Sequence, residues 1–341
     1  MTQAEKWRVL RRVLLITIPP AMLVGFGIGW LIGGAGTSMV AGATIGLFVG
    51  AGIITFDVSW AIGLIPRGWR EAPFLVVLIT RSLVWLVIIV IGISVPLLTI
   101  AQLSPEDVFD QTFAIAVAVS FIAALVFNFI GQVNRLLGPG MLVSLLVGRY
   151  HRPREEVRVF LFIDLRDSTR IAEELGNLRY HSLLKRFISD VTASVIRYRG
   201  EVHRYVGDEV ILTWLADEGL RDARCVRTVF GIDDTLEEAR AEYEQEFGVV
   251  PSFWAGLHIG PVVAGEIGTV KHEIAFIGDT MNEAARIEEA CKQFDRHFVA
   301  SGDVITALEP AADIAVEGLG DIELRGVGEP VELFAVAHTD A

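Results

Sequence analysis

Two aspartates stand beside apolar, strand-like segments, where a carboxylate could hold a metal ion. Asp164 closes the almost wholly apolar run at 157–163, a pattern typical of a strand buried on both faces. Asp208 follows Gly207 in a hairpin-turn signal between two β-rich runs, at 203–206 and 209–214. Because aspartates on neighbouring strands can share two divalent cations about 3.5–4 Å apart, this pattern predicts a two-metal site.

A second pair of polar side chains lies further along the chain. In the segment 277–286, Gly278, Asp279 and Thr280 can begin a helix, with Asp279 or Thr280 as its cap. Asn282 and Arg286 then lie four residues apart on one helix face. An amide and a guanidinium that point the same way suit a sugar oxygen and a phosphate, although such pairs are also common on surface helices.

The elements expected around these residues are those of an α+β domain with a mixed sheet. Residues 180–198 have apolar side chains at helical spacing, and residues 253–258 read as a strand. The glycine-rich segment 260–265 is predicted to be a loop before the next strand.

Charge and hydropathy divide the chain into two unlike halves. Residues 1–150 contain 9 Lys and Arg against 6 Asp and Glu, whereas residues 151–341 contain 20 against 36. Mean hydropathy is +0.50 and the hydrophobic fraction is 52%, too high for an ordinary soluble enzyme. The acidic second half argues against nucleic acid as a partner, since non-specific binding to nucleic acid needs a basic face.

Four apolar segments in the first half are long enough to span a hydrocarbon core of ~30 Å. They cover residues 13–34, 39–65, 73–101 and 113–133. Arginines and a lysine flank the N-terminus, the second loop and the exit from the fourth segment, whereas the third loop carries only acidic residues. The positive-inside rule therefore predicts an integral protein of the cell (inner) membrane with four spans, and with both termini and the second half of the chain cytoplasmic.

Two further features of these spans predict how they pack. Glycines recur every four residues in the first and second spans, which would allow close helix contact within or between subunits. Asp57 and Arg81 are charges deep in the second and third spans, at similar depth. They are expected to form an ion pair, and the alternative is a switch that senses a signal.

The predicted division of the chain is a transmembrane domain at 1–134, a connector at 135–156 and a catalytic domain at 157–341. In the connector, Gly138, Pro139 and Gly140 interrupt any helix that leaves the membrane, and residues 141–147 can form a short apolar helix. The connector is either a passive linker or a helix that sets the angle between two catalytic domains.

Several motifs, taken together and in order, resemble the catalytic domain of the class III adenylyl and guanylyl cyclases. They are FIDLRDST, RYVGDEV, GLHIGPVVAGEIG, FIGDTMNEAARIEEA and LRGVGEPVELF, and the resemblance covers about residues 157 to 336. The resemblance implies a mixed sheet with a ferredoxin-like core and a homodimer with active sites at its interface. It also implies a reaction that converts ATP or GTP to a 3′,5′-cyclic nucleotide and pyrophosphate with two Mg²⁺ or Mn²⁺ ions.

The resemblance assigns roles residue by residue. Asp164 and Asp208 match the metal-binding aspartates, and the Leu165 carbonyl would also contact a metal. Asn282 matches the residue that orients the ribose, and Arg286 the one that stabilises the phosphate in the transition state. The remaining correspondences concern the base and the triphosphate: Arg204 and Ala275 for the purine, Thr169 in the phosphate loop, and Arg325 for the triphosphate.

Departures from the family pattern leave the choice of purine open. Arg204 stands where adenylyl cyclases commonly have lysine, and the Ala275 side chain cannot form hydrogen bonds. ATP is the favoured substrate and GTP the alternative. Asp167 adds a carboxylate to the phosphate loop, which should repel a triphosphate unless it points outward or meets Arg166.

Three other functions fit parts of the sequence. A nucleotide-binding signalling protein without activity would have lost a metal-binding or transition-state residue, yet all four are present. A diguanylate cyclase would share the hairpin around Asp208 but not the Asn282 and Arg286 helix. A transporter or channel with a regulatory domain would be recognised by a flux assay.

Overall fold

The computed structural model describes residues 3–33, 36–62, 64–70, 72–137, 141–270, 272–309, 311 and 313–339. These residues form two compact units, one within residues 1–137 and the other within 138–341. Gly138, Pro139 and Gly140, the predicted helix breakers of the connector, lie outside the described residues.

The first unit is helical throughout its described length. Its helices are α1 (Gln3–Gly33), α2 (Thr37–Ala61), α3 (Arg67–Arg70), α4 (Phe74–Thr99), α5 (Pro105–Val108) and α6 (Gln111–Leu137). Among the described residues, α1, α2, α4 and α6 are long and apolar enough to cross a membrane. Each coincides with one of the four predicted segments.

The glycines of α1 and α2 meet where the two helices touch. A Cβ atom added at Gly25 would overlap the backbone carbonyl of Gly42, and one at Gly46 would overlap that of Ala21. Two backbones can approach this closely only where neither helix carries a larger side chain. The predicted close contact is therefore confirmed, and it lies within one subunit.

The predicted ion pair between Asp57 and Arg81 is also confirmed. Arg81 Nη2 lies 2.7 Å from Asp57 Oδ1, and the Trp85 indole N–H donates to the same oxygen at 3.3 Å. The Arg81 guanidinium also lies 5.1 Å from the ring centre of Trp60. Since Asp57 and Trp60 are on α2 and Arg81 and Trp85 on α4, the cluster joins these two helices.

The second unit alternates helices and strands. Its elements are α7 (Met141–Val147), β1 (Arg154–Leu165), α8 (Ser168–Leu175), α9 (Asn177–Arg197), β2 (Glu201–Val206), β3 (Glu209–Leu215), α10 (Ala216–Leu220), α11 (Arg224–Glu238), α12 (Arg240–Phe247), β4 (Phe253–Ile267), β5 (Glu273–Ile277), α13 (Asp279–Phe294), β6 (Phe298–Ser301), α14 (Gly302–Ala307), β7 (Ile314–Ile322) and β8 (Val331–His338). The short helix predicted at 141–147 is present as α7.

The eight strands of the described residues form one mixed sheet. Its order is β2-β3-β1-β4-β6-β8-β7, and β5 pairs with β4 outside this path. The first four strands pair antiparallel in the order of a ferredoxin-like core, with β1 and β3 central, whereas β4 and β6 run parallel. The predicted fold is confirmed.

Helices cover both faces of this sheet, and alternate residues of β1 point to opposite sides. Val159, Leu161 and Ile163 pack into the larger core with α9 and α11. Phe160 and Phe162 face the other way, toward α13. The alternation places Asp164 on the α13 side of the sheet.

Two local predictions were wrong. The glycine-rich segment 260–265 is not a loop but the second half of β4, because it pairs with β1 on one side and β5 on the other. Gly260 makes room for α13, because a Cβ atom at this position would collide with Thr280. Neither Asp279 nor Thr280 caps α13, which begins after Gly278, and the Thr280 hydroxyl instead donates to the Pro261 carbonyl at 2.7 Å.

Candidate active site

Asp164 lies where β1 ends and the chain turns toward α8. Its side chain is 19% exposed, and its Oδ2 accepts a bond of 2.6 Å from the Lys292 ammonium of α13. The next residue, Leu165, buries its side chain in the core and so fixes the end of the strand. Asp164 is thus a carboxylate at the end of a central strand, and it is already paired with the Lys292 ammonium.

Asp208 occupies the two-residue turn between β2 and β3, where Gly207 has a positive φ of 65°. The Asp208 side chain is half-buried. Burial raises the pKa of Tyr180, and the Asp208 and Asp164 carboxylates raise it further. Since both carboxylates act on one hydroxyl, the fold brings the ends of β1 and of the hairpin to the same region.

Two further carboxylates share this region. Glu209 follows Asp208, and Glu288 lies on the inner face of α13, one turn before Lys292. Burial is the main cause that raises the pKa of Glu209 to about 7, with Glu288 and Asp164 adding to it. Burial likewise raises the pKa of Glu288 to about 7, against the effect of Lys292. The site therefore concentrates negative charge that a cation would relieve.

The donor set fits a hard divalent cation. Carboxylate oxygens are the protein ligands that Mg²⁺ prefers, commonly one or two of them alongside water and substrate phosphates. Asp164 and Asp208 supply such oxygens, and the Lys292 ammonium shows that Asp164 accepts positive charge. Within the described ranges, no group of three or more His, Cys, Asp and Glu side chains is arranged around a metal position. Asp164 and Asp208 are carboxylates that could hold a metal here.

Asn282 and Arg286 lie on a different face of α13. Asn282 is exposed, and Arg286 is about one-third exposed with its guanidinium bonded to Glu289 in the next turn. Glu288 and Lys292 of the same helix instead point to Asp164. One face of α13 therefore contributes to the acidic site, and another face carries the Asn282 amide and the Arg286 guanidinium toward solvent.

Arg204 and Ala275 are brought together by β2 and β5. Arg204 Nη2 forms an ion pair of 2.9 Å with Glu273 Oε1. Ala275 lies two residues after Glu273 on the same face of β5, opposite Gly265 of β4, and is 9% exposed. The two residues predicted to read the purine therefore share a neighbourhood, with Glu273 as a third member.

The phosphate-loop residue Thr169 lies exposed in the first turn of α8. Asp167 precedes the helix with a positive φ of 53°, and its Oδ2 accepts a bond of 3.0 Å from Arg170. Arg166 does not meet Asp167 but stacks 3.4 Å from the ring centre of Trp254. The Asp167 carboxylate therefore points outward, one of the two arrangements expected to limit its repulsion of a triphosphate.

Arg325 lies exposed in the connection between β7 and β8. The preceding Leu324 is buried in a small core that also contains Ile287 of α13. This core anchors the Arg325 connection beside the helix that carries Asn282 and Arg286.

Sequence reasoning missed Glu209, Glu288, Lys292 and Glu273. A signal was present for two of them, because Glu288 and Lys292 fall four residues apart among the buried positions 284, 287, 290 and 291 of α13. Charged residues next to a buried helix stripe need partners: Glu288 pairs with Lys292, and Lys292 also pairs with Asp164. The pairing of Glu273 with Arg204 joins strands far apart in sequence and leaves no local pattern.

Comparison with known proteins identifies the family of the chain. The profile of the adenylate and guanylate cyclase catalytic domain matches residues 150–337. Adenylate cyclase 2 of Rhizobium meliloti is 32% identical over 341 residues, which covers 97% of this chain and 92% of that protein. An uncharacterized protein of Mycobacterium tuberculosis is 28% identical over 177 residues, 51% of this chain and 30% of that protein.

A solved structure gives the same fold. A bacterial light-regulated adenylyl cyclase superposes with a TM-score of 0.53 at 22% identity, over 63% of this chain and 63% of that one. Because the family profile covers more than half of the chain, and the Rhizobium relative nearly all of it, the chain belongs to the family of adenylate and guanylate cyclase catalytic domains.

Proposed function

We propose that this protein is a membrane-bound, homodimeric adenylyl cyclase that converts ATP to 3′,5′-cyclic AMP and pyrophosphate. The observation that carries the proposal is the match to adenylate cyclase 2 along 97% of the chain, which includes the helical unit as well as the catalytic domain. Asp164, Asp208, Asn282 and Arg286 are all present, and they would supply the metal-binding, ribose-orienting and transition-state side chains of this reaction.

In this reaction the ribose 3′ oxygen attacks the α-phosphorus, and the bond from that phosphorus to the bridging oxygen of the β-phosphate breaks. Pyrophosphate leaves, and the proton of the 3′ hydroxyl is released to solvent water. Asp164 and Asp208, with the Leu165 carbonyl, would hold two Mg²⁺ or Mn²⁺ ions. When bound, such ions lower the pKa of the 3′ hydroxyl and offset the charge of the triphosphate.

The other polar residues act on the nucleotide directly. Asn282 orients the ribose, and Arg286 stabilises the negative charge that develops on the phosphate. Arg204 and Ala275 border the purine, while Thr169 and Arg325 bind the phosphates. The exposed face that carries Asn282 and Arg286 supports a site completed by a second protomer, since the same helix turns Glu288 and Lys292 to its own Asp164.

The helices α1, α2, α4 and α6 are proposed to span the inner membrane, with both termini and the catalytic domain in the cytoplasm. Residues 1–134 then form the membrane domain, 135–156 the connector, and 157–341 the catalytic domain. The acidic composition of the catalytic domain argues against nucleic acid as a partner, and the proposed partners are the nucleotide, membrane lipid and a second copy of the chain.

The test uses the purified full-length protein in detergent or nanodiscs with ATP or GTP, each with Mg²⁺ or Mn²⁺, and identifies the product by mass. We expect 3′,5′-cyclic AMP from ATP, with less cyclic GMP from GTP. The Asp208→Asn variant, which keeps the size of the side chain but removes its charge, should make neither. Absence of a cyclic nucleotide under all four conditions would contradict the proposal.

A further inference from the structure

The ammonium of Lys292 forms an ion pair with Asp164, the carboxylate that is proposed to bind a metal. Its Nζ lies 2.6 Å from Asp164 Oδ2 and 3.3 Å from Glu288 Oε1. Lys292 stands in the last turn of α13, where the negative end of the helix dipole favours a cation. Two carboxylates and the C-terminal end of α13 thus stabilise the Lys292 ammonium at this position.

We propose that Lys292 is a tethered cation that competes with divalent metal for Asp164 and so sets the metal affinity of the free enzyme. The inference rests on the proposed function, because it takes Asp164 to be a metal ligand. It adds a role for a residue outside the set that the family resemblance assigned.

The exposures of the three side chains support an exchangeable contact. The Glu288 side chain is 4% exposed and that of Asp164 is 19% exposed, whereas that of Lys292 is 47% exposed. Lysine carries its charge on a flexible four-carbon stem with rotatable donors. The ammonium can therefore swing into solvent or remain beside Glu288, while both carboxylates stay in place.

Charge explains why the metal and the ammonium should exclude each other. Two cations held by one carboxylate would repel each other strongly in a partly buried site, where the effective dielectric constant is well below that of water. With Lys292 in place, Asp164 is neutralised before any metal arrives. A metal must then replace an ion pair as well as shed water.

A rival role for Lys292 gives the opposite prediction. If Lys292 held one oxygen of Asp164 so that the other faced the metal, its removal would weaken metal binding, as the loss of an outer-shell partner usually does. If Lys292 competes, its removal should strengthen metal binding. The sign of the change in affinity separates the two roles.

The experiment is a titration of full-length protein with Mn²⁺ alone, without nucleotide, followed by the electron paramagnetic resonance signal of free Mn²⁺. Lys292→Met keeps the stem and removes the charge, and we expect the dissociation constant for Mn²⁺ to fall about two- to fivefold, the range of a single partly exposed ion pair. Lys292→Arg keeps the charge and should stay near the wild-type value. Asp208→Asn should lose the Mn²⁺ site.

Arg240→Met is the matched control for net charge. Arg240 is 51% exposed and pairs with Glu237 on the surface. It lies on α12, outside the acidic site, so its loss should leave the Mn²⁺ affinity at the wild-type value. Thermal unfolding of every variant confirms that the compared proteins are folded.

A second measurement follows the Lys292 side chain of the wild-type protein directly. The chain has four lysines, Lys6, Lys185, Lys271 and Lys292, so ¹³C-methylated lysine signals can be assigned individually. Addition of diamagnetic Mg²⁺ should shift the signal that is missing from Lys292→Arg. A folded Lys292→Met protein with unchanged or weaker Mn²⁺ affinity would overturn the inference, as would a Lys292 signal that ignores bound Mg²⁺.

The failure of this inference can be told apart from failure of the proposed function. Cyclic AMP from the wild type together with unchanged Mn²⁺ affinity in Lys292→Met would overturn the competition alone. Tighter Mn²⁺ binding in Lys292→Met without any cyclic nucleotide from the wild type would support the competition and contradict the cyclase activity.

Discussion

At the scale of single residues, the candidate site depends on where charge is placed. Asp164 and Asp208 lie at the ends of strands that the sheet fixes, and the half-buried Glu209 and the buried Glu288 add carboxylates beside them. Arg286 lies on an outward face of the neighbouring helix, with Glu289 as its partner. An acidic centre and a separate guanidinium suit a reaction that gathers negative charge on a phosphate.

Arg286→Ala is expected to lower kcat by about 10²–10³, because it removes a single stabiliser of transition-state charge. Mn²⁺ affinity and melting temperature should change little, since Arg286 is partly exposed and bonds only to a surface glutamate of its own helix among its described partners. Initial rates of cyclic AMP formation measure the effect. The surface variant Arg240→Ala serves as control, and an equal loss in both variants would contradict the role of Arg286.

His203 gives the domain an acid-sensitive position beside Arg204. Burial lowers the pKa of His203 to about 4, and the charge of Arg204 adds to the shift; its ring stacks on Phe276 with centroids 4.9 Å apart. An unfolded histidine titrates near pH 6.5. Between these values the unfolded chain binds a proton that the folded protein refuses, so stability is present above about pH 6.5 and is lost as the pH falls toward 4.

Between pH 7 and pH 4.5, the melting temperature of His203→Phe should therefore fall less than that of the wild type. Phenylalanine keeps an aromatic ring at this position but cannot bind a proton. The same substitution at the exposed His181 should leave the pH dependence as in the wild type. Melting curves at several pH values test this. Parallel curves for His203→Phe and the wild type would show that His203 does not carry the effect.

At the scale of elements, α13 links the acidic centre to the outward polar face, and β4 sets its position. A Cβ atom at Gly256 would overlap the backbone of Glu288, so helix and strand touch at the level of the acidic cluster. Only glycine leaves that space. The close packing of α13 on β4 therefore places Glu288 and Lys292 near Asp164.

Gly256→Ala is expected to destabilise the domain by about 1–3 kcal/mol, as overpacking of a tight contact does. It should also change Mn²⁺ affinity, because the displaced helix carries Lys292. Chemical denaturation and Mn²⁺ titration measure the two effects. Gly318→Ala on β7 is the control, since its Cβ would lie at an ordinary 3.7 Å from Phe334. Equal stability of the two variants would contradict the account of the α13 contact.

In the helical unit, the ion pair of Asp57 and Arg81 holds α2 and α4 together. Asp57→Ala should destabilise the helical unit by about 3–5 kcal/mol, because it leaves the Arg81 charge buried without its carboxylate. The exchange of the two residues, Asp57→Arg with Arg81→Asp, should recover most of that loss. Unfolding in detergent compares the proteins. A double variant as unstable as the single one would show that the pairing itself does not hold the helices.

Local patterns predicted most of these elements, and long-range contacts explain what they missed. The four apolar helices, the strand before Asp164 and the turn at Gly207 each depend on a few adjacent residues, and all are present. The segment 260–265 was read as a loop because glycine is ambiguous in sequence. The segment pairs with both β1 and β5, and Gly260 packs closely against α13. These contacts join residues far apart in sequence, so only the structure shows them.

The same limit applied to the candidate site. Asp164, Asp208, Asn282 and Arg286 stand in recognisable motifs, so their positions could be predicted. Lys292 reaches Asp164 across 128 positions of the chain, and no spacing rule connects such residues. The metal-binding and catalytic roles of the four motif residues remain predictions that the experiments above test.

At the scale of the whole molecule, an apolar helical unit precedes an acidic catalytic domain. The Rhizobium relative matches both parts, since the match covers 97% of this chain. Every protomer carries an acidic centre and an outward Asn282 and Arg286 face. Two protomers related by a twofold axis could each complete the other's centre, as an isologous interface requires.

The central claim is that one protomer's aspartates work with the other protomer's arginine, and co-expression of Asp208→Ala and Arg286→Ala tests it most directly. Each variant alone should be inactive. Random pairing makes about half of the dimers mixed, each with one intact site of two, so activity should return to about a quarter of the wild-type value. Tandem affinity tags that isolate the mixed dimers provide the check. Mixed dimers as inactive as the single variants would contradict a site shared between protomers.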